Sequence, residues 1–230
     1  MTYRITYGLE HLDTGETEHY TLDMDEAFNL VISTPAPPDW ARLEQDKCRN
    51  CPLNPDEHPW CPLAVALNVY DIGGGHKLSH TPVRVTVSAP GRTISNETSL
   101  QHAYRSLLGL IMPTCGCPVA AFFKPMARFH LPFSDEEETI YRAASMYLLA
   151  QYFRAQAGLP AELDLKGLRE AYQSIHMLNI DFSKRLRAIA KGDSAVNAVV
   201  LLDLFTKTMP WAIDDQLSEI RHLFEGFLNA

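Results

Sequence analysis

Three of the five cysteines in this chain fall between Cys48 and Cys61, in a stretch so rich in proline and polar residues that core packing is a poor explanation for them. Cys48 and Cys51 are separated by two residues, six more lead to His58, and two separate His58 from Cys61. A two-residue gap lets a tight turn aim both flanking side chains at one ion, so each pair can act as a pincer. Four soft or borderline ligands in tetrahedral reach suit zinc. The expected set is Cys48, Cys51, His58 and Cys61, with Cys117 as the fourth ligand if His58 turns outward. An iron–sulfur cluster is the alternative and needs a fourth sulfur from further along the chain. Free cysteines packed as small hydrophobes, or redox-active thiols, are the competing readings.

The rest of the composition narrows the classes. The 230 residues suffice for one large or two small cores, and 46% hydrophobic with 21% charged residues is ordinary for a globular protein. A net charge of −8 with no local run of Lys and Arg argues against nucleic acid or an anionic lipid surface as partner. The first residues lack the apolar stretch of a secretory signal, and no apolar run reads as a membrane span. A cytoplasmic location is expected, where clustered thiols more often mean metal than disulfide.

Along the chain, Tyr3, Ile5, Tyr7 and Leu9 alternate with polar residues as in a half-buried strand. Asp13-Thr14-Gly15-Glu16 signals a turn, and residues 18–22 return as a hairpin partner. Residues 25–33 suit a helix end or a strand equally. Pro35-Ala36-Pro37-Pro38 stops regular structure, and Asp39 can cap a short helix over 40–46. Pro62 is well placed to start a helix beside Cys61. Gly73-Gly74-Gly75 reads as a flexible turn, since it lacks the residues of a phosphate loop. Val83, Val85 and Val87 form another strand, with residues 92–95 pairing back.

The second half is helical. Thr98 and Gln101 have the spacing of a capping box before a helix ending at Pro113, and Ser134 and Glu137 have it before a helix ending near Gly158. Further helices are expected over 164–191, 194–209 and 212–228, the last two separated at Pro210. The expected fold is α+β: a small N-terminal antiparallel sheet with a Cys-rich metal loop, packed on a C-terminal all-helical bundle. Residues 1–97 and 98–230 make the two regions of one cooperative unit. The amphipathic C-terminal helices also suit a homodimer.

A second informative stretch joins the first two of those helices. Thr114-Cys115-Gly116-Cys117-Pro118 offers a dithiol, or one sulfur for the first cluster. Arg128 and His130 sit on a proline-stiffened connection, and the functional expectation is that Cys117, Arg128 and His130 face one cavity holding a small anionic ligand. The competing reading is that Arg128 and His130 satisfy buried carbonyls within the core.

The combination of Cys48-x-x-Cys51-Pro52-Leu53, Cys61-Pro62-Leu63-Ala64, Ser99-Leu100-Gln101, Gly116-Cys117-Pro118 and Met126-Ala127-Arg128-Phe129-His130-Leu131-Pro132-Phe133 resembles an uncharacterised bacterial family of the DUF6901 type, over nearly the whole chain. The resemblance implies no activity. In the family pattern the residue matching Cys115 is usually Ser, which singles out Cys117. The chain carries no nucleophile elbow, Walker A loop, zinc-protease helix or EF-hand pattern. The functional expectation is therefore a zinc-stabilised sensory, adaptor or ligand-binding module. A thiol redox sensor is the alternative, as is a metal-dependent enzyme with an open three-cysteine site and His130 as acid/base.

Overall fold

A computed structural model describes residues 3–34, 36–72, 77–215 and 217–229. The expectations placed on Pro35 and on Gly73-Gly74-Gly75 fall outside the described residues. Strand β1 (Tyr3–His11) and strand β2 (Thr17–Met24) form the expected hairpin, with Tyr7 opposite Tyr20. Strands β3 (Pro82–Ala89) and β4 (Arg92–Ser99) form a second hairpin, and β3 pairs antiparallel with β1 to give the order β2-β1-β3-β4. Alternation sends Ile5, Tyr7, Leu9, Leu22, Val83 and Val85 to one face, where each is essentially inaccessible to water. The other face is open and laced by ion pairs, Arg4 with Asp23 and Arg84 with both Glu10 and Glu97. One dry face and one wet face are what period-two patterning specifies in an antiparallel sheet.

Helix α2 (Leu100–Thr114) covers the dry face with Leu100, Tyr104, Leu107, Leu108 and Ile111. Two buried polar contacts fix its rotation: Tyr7 bonds to Ser106 at 3.0 Å and Tyr20 to Tyr104 at 3.1 Å. The expected capping box at Thr98 is absent, because the β3–β4 ladder runs through Thr98 to Ser99 and α2 starts directly from the strand. The first helical amides instead donate to the preceding loop, Leu100 to the carbonyl of Thr81 and Gln101 to that of Ser79. Orphan N–H groups at a helix start need an acceptor, and any carbonyl in reach serves. Pro113 lies within the last turn of α2 and does not end it.

Helix α1 (Pro62–Val69) begins at Pro62 as expected, whereas the helix expected over 40–46 shrinks to a single turn, Asp39–Ala41. A five-residue helix α3 (Lys124–Arg128) interrupts the connection after α2. Helix α4 (Glu136–Gln156) does carry a capping box, but one residue later than expected, between Asp135 and Glu138. Helix α5 (Lys166–Ile189) packs along α6 (Ser194–Asp214), which in turn packs on α2. The break expected at Pro210 does not occur: α6 continues past it to Asp214, and only short turns, α7 (Ser218–Arg221) and α8 (Glu225–Leu228), follow. Proline removes one backbone bond and does not by itself end a helix held by its neighbours.

Against the sequence reading, α6 is long and apolar enough to cross a membrane by length and composition. Its buried Asp203, however, accepts bonds from Asn179 and Thr206, meets His176 at 2.8 Å and pairs with Lys207, contacts made within this fold. The main core runs from Ile5 on β1 to Val199 on α6, so the sheet shares its interior with α1, α2 and parts of α5 and α6. Helix α4 packs with the start of α5 and the end of α6 in a second cluster around Ile140, Tyr147, Leu168 and Met209. Leu107→Ala at the centre of the main core should cost about 3 kcal/mol in urea denaturation, whereas Thr6→Ala on the open face should change stability by less than about 0.5 kcal/mol.

Candidate functional site: four cysteines and a buried arginine

Four of the five cysteines meet. Cys48, Cys51, Cys61 and Cys117 line one cavity of about 20 Å³, walled by Leu43, Leu53, Leu178 and Phe182 and closed by Arg185. The elements that bring them together are distinct. Cys48 and Cys51 sit on the loop before α1, tied by the Cys51 amide to the Cys48 carbonyl at 3.0 Å. Cys61 is the residue from which α1 starts. Cys117 follows the turn after α2, where Gly116 takes a φ of 91°, in the left-handed region that favours glycine.

Cys61 and Cys117 share a local design. Each is followed by proline, and in each case the amides two and three residues on, Leu63 and Ala64 or Val119 and Ala120, lie against the sulfur and favour its anion. Burial works the other way. It pushes the Cys117 thiol up to about 11 despite those amides. Burial, with Cys61 and Cys117 adding to it and Arg185 opposing, pushes Cys48 up to about 12. Protonated and without a metal, these are poor nucleophiles at neutral pH.

Arg185 is 2% exposed and comes from near the C-terminal end of α5. Its two terminal nitrogens donate to the carbonyls of Trp40 and Arg42, at 3.1 and 2.8 Å, and of Leu43 at 3.4 Å. Its Nε is buried without any hydrogen-bond partner, and among the described residues no carboxylate pairs with it. A buried guanidinium lacking a counter-ion is costly unless something anionic sits beside it. The cysteine loop is fastened to α5 elsewhere too: Arg49 forms a bidentate pair with Asp181, and the Asn50 amide donates to the Ser174 carbonyl at 2.8 Å. The loop therefore does not depend on a metal alone for its position, contrary to what its few apolar residues suggest.

The set with His58 as fourth ligand is not brought together. His58 is exposed, its backbone held by Asn54, and it does not line the cysteine cavity; Cys117 does. Among the described residues, no three His, Cys, Asp or Glu side chains form a group arranged to hold a single metal ion. The cysteine cavity of about 20 Å³ has room for one water-sized body, and a zinc ion would draw the surrounding sulfurs in to about 2.3 Å. Cys115 is not part of the group: it is buried, burial raises its thiol, and it donates to the Met112 carbonyl at 3.4 Å.

The family model for Domain of unknown function (DUF6901) matches residues 1–225. The chain belongs to this family. No curated protein and no solved structure shows significant similarity to it.

Cys117, Arg128 and His130 do not share a cavity. Arg128 is exposed and stacks over Tyr3 at 4.3 Å and over Phe129 at 5.4 Å. His130 lines a larger, mostly apolar cavity of about 150 Å³ between α2, α4, α5 and α6. There it shares a hydrogen bond with the Tyr7 hydroxyl, and its carbonyl accepts from Arg92 at 2.9 Å. Burial, then the neighbouring Arg142 and Arg92, lowers its pKa to about 3. Burial thus favours the neutral form of His130 at physiological pH. Sequence reasoning also missed Arg185, which carries no motif; a lone Arg amid Phe182, Leu186 and Ile189 is the sole hint.

The depressed pKa fixes a pH dependence. The unfolded chain protonates His130 near 6.5 and the folded chain near 3, so stability falls as pH drops through that window. Between pH 7 and pH 5 the loss is about 2 kcal/mol. His130→Gln should remove that part of the acid sensitivity, seen as a smaller shift in urea midpoint between the two pH values than in the unaltered protein.

Proposed function

We propose that this chain is a zinc protein in which Cys48, Cys51, Cys61 and Cys117 hold one ion, and that the metal stabilises a sensory or ligand-binding module. The observation that carries the reading is the single cavity bounded by four cysteines and an uncompensated, buried Arg185. Zinc held by four thiolates carries a net charge of about −2, which supplies the counter-charge Arg185 lacks, and a single ion suits a water-sized space between the sulfurs. The amides beside Cys61 and Cys117 tune such a centre, as hydrogen bonds to ligand sulfur do.

With four protein thiolates the centre has no open position for substrate, which favours stabilisation over Lewis-acid catalysis. A thiol redox sensor is the second reading, since Cys48 and Cys51 are only half-buried.

Protein purified without chelator should be colourless and contain one zinc per chain. Cys51→Ser and Cys117→Ser should each lose it, while Cys115→Ser and His58→Ala should keep it. A visible sulfur-to-iron absorption, with iron and acid-labile sulfide in equal amounts, would replace the zinc with an iron–sulfur cluster. Metal-free protein whose five thiols all react in the folded state would end the metal reading altogether.

A further inference from the structure

We infer that the cavity between α2, α4, α5 and α6 is a binding site for a small organic acid with one carboxylate and an aromatic or branched apolar body. Its volume of about 150 Å³ matches a single ring with a short substituent. Its walls are mostly apolar, with Met112, Phe133 and Ile175 among them. Two arginines nevertheless line it, Arg105 from α2 and Arg142 from α4, and among the described residues neither has a carboxylate partner. Arg105 is stacked on Phe205 at 4.9 Å, and its one bond within the protein is a long one, 3.5 Å to the Ser134 carbonyl. Arg142 spends one nitrogen on the carbonyls of Met126 and Phe129 and leaves the rest of its fork free. Tyr172 lines the same space, and among the described residues its hydroxyl makes no hydrogen bond. Two planar, unpaired guanidinium groups and a free hydroxyl around an apolar chamber match a carboxylate carried on a hydrocarbon body. Glu138 is the nearby carboxylate that acts on Arg142, and it is engaged in the cap of α4 with Asp135.

Gly109 supports the same reading independently. It lies in the middle of α2, takes an ordinary helical conformation and lines the cavity, and a Cβ built there would meet nothing within 4 Å. Glycine inside a helix is less stable than alanine, and neither backbone conformation nor a close neighbour demands it here. What the missing side chain preserves is open space.

The test titrates the protein as purified with benzoate, phenylacetate and 3-methylbutanoate, using benzamide as the neutral counterpart of benzoate, by calorimetry and ligand-observed NMR. At least one of the acids should bind at one per chain, and benzamide at least about tenfold more weakly than benzoate. Arg142→Gln should weaken binding at least about tenfold. Gly109→Leu should abolish it while leaving the far-ultraviolet circular dichroism and urea midpoint intact or improved, which separates a filled site from a misfolded one. Absence of binding by all three acids, equal binding of benzamide, or full binding by folded Gly109→Leu protein would each overturn the proposal.

Discussion

The arrangement around the cysteines hangs on one guanidinium. Arg185 gathers the carbonyls of Trp40, Arg42 and Leu43 onto the C-terminal part of α5, and so brings a proline-rich loop with little core of its own against a helix far along the chain. Charge–dipole bonds of this kind are strong where water is excluded, and each unmet donor there is expensive. The remaining donor, Nε, has no protein acceptor. The residue that holds the loop thus also lines the cavity of the four cysteines.

Around that point the molecule is a layered solid. The sheet lays its dry face on α2, α2 leans on α6, and α6 on α5. The cysteine cavity and the larger apolar cavity lie along the same two supports: Cys117 to Val119 and Leu178 border the first, Ala120, Phe123 and Ile175 the second. A few residues of one connection, and one helical turn of α5, separate a thiolate-lined space from an arginine-lined one. The two are close enough in sequence and fold for a rigid segment to touch both.

Much of this was legible in the sequence where the physics is local. Alternation at Tyr3, Ile5, Tyr7 and Leu9 reports burial of one strand face directly, and Pro62 reports a helix start, because neither depends on distant residues. The cysteine grouping was legible in part. Spacing favours pairs that meet across a short turn, so His58 looked like a natural partner for Cys61. Cys117 reaches the site only because α2 returns over the sheet, which no local pattern records. The capping boxes show the same limit: Asp135 caps α4 with Glu138, a register one residue from the Ser134 reading, while Thr98 is consumed by a strand ladder. Arg105, Arg142 and Gly109 look like unremarkable helical residues until the helices around them are placed, since a cavity is a property of packing and not of any one segment.

The wet side of the sheet carries a consequence for how copies of this chain meet. Strands β2 and β4 end the sheet, and an open strand edge is a template for pairing with another chain. The β2 edge is partly covered from within: the Thr21 carbonyl accepts from the Tyr70 hydroxyl at 3.2 Å, and that of Asp23 from the Val31 amide at 2.8 Å. β4 has no such cover in its middle, but it reads Arg92, Thr93, Ile94, Ser95, Asn96, Glu97, Thr98. An incoming strand would find one apolar side chain among hydroxyls, amides and charges, with Glu97 already engaged by Arg84. The molecule guards one border with its own backbone and the other with solvated chemistry, so lateral growth of the sheet into aggregates is discouraged at both ends.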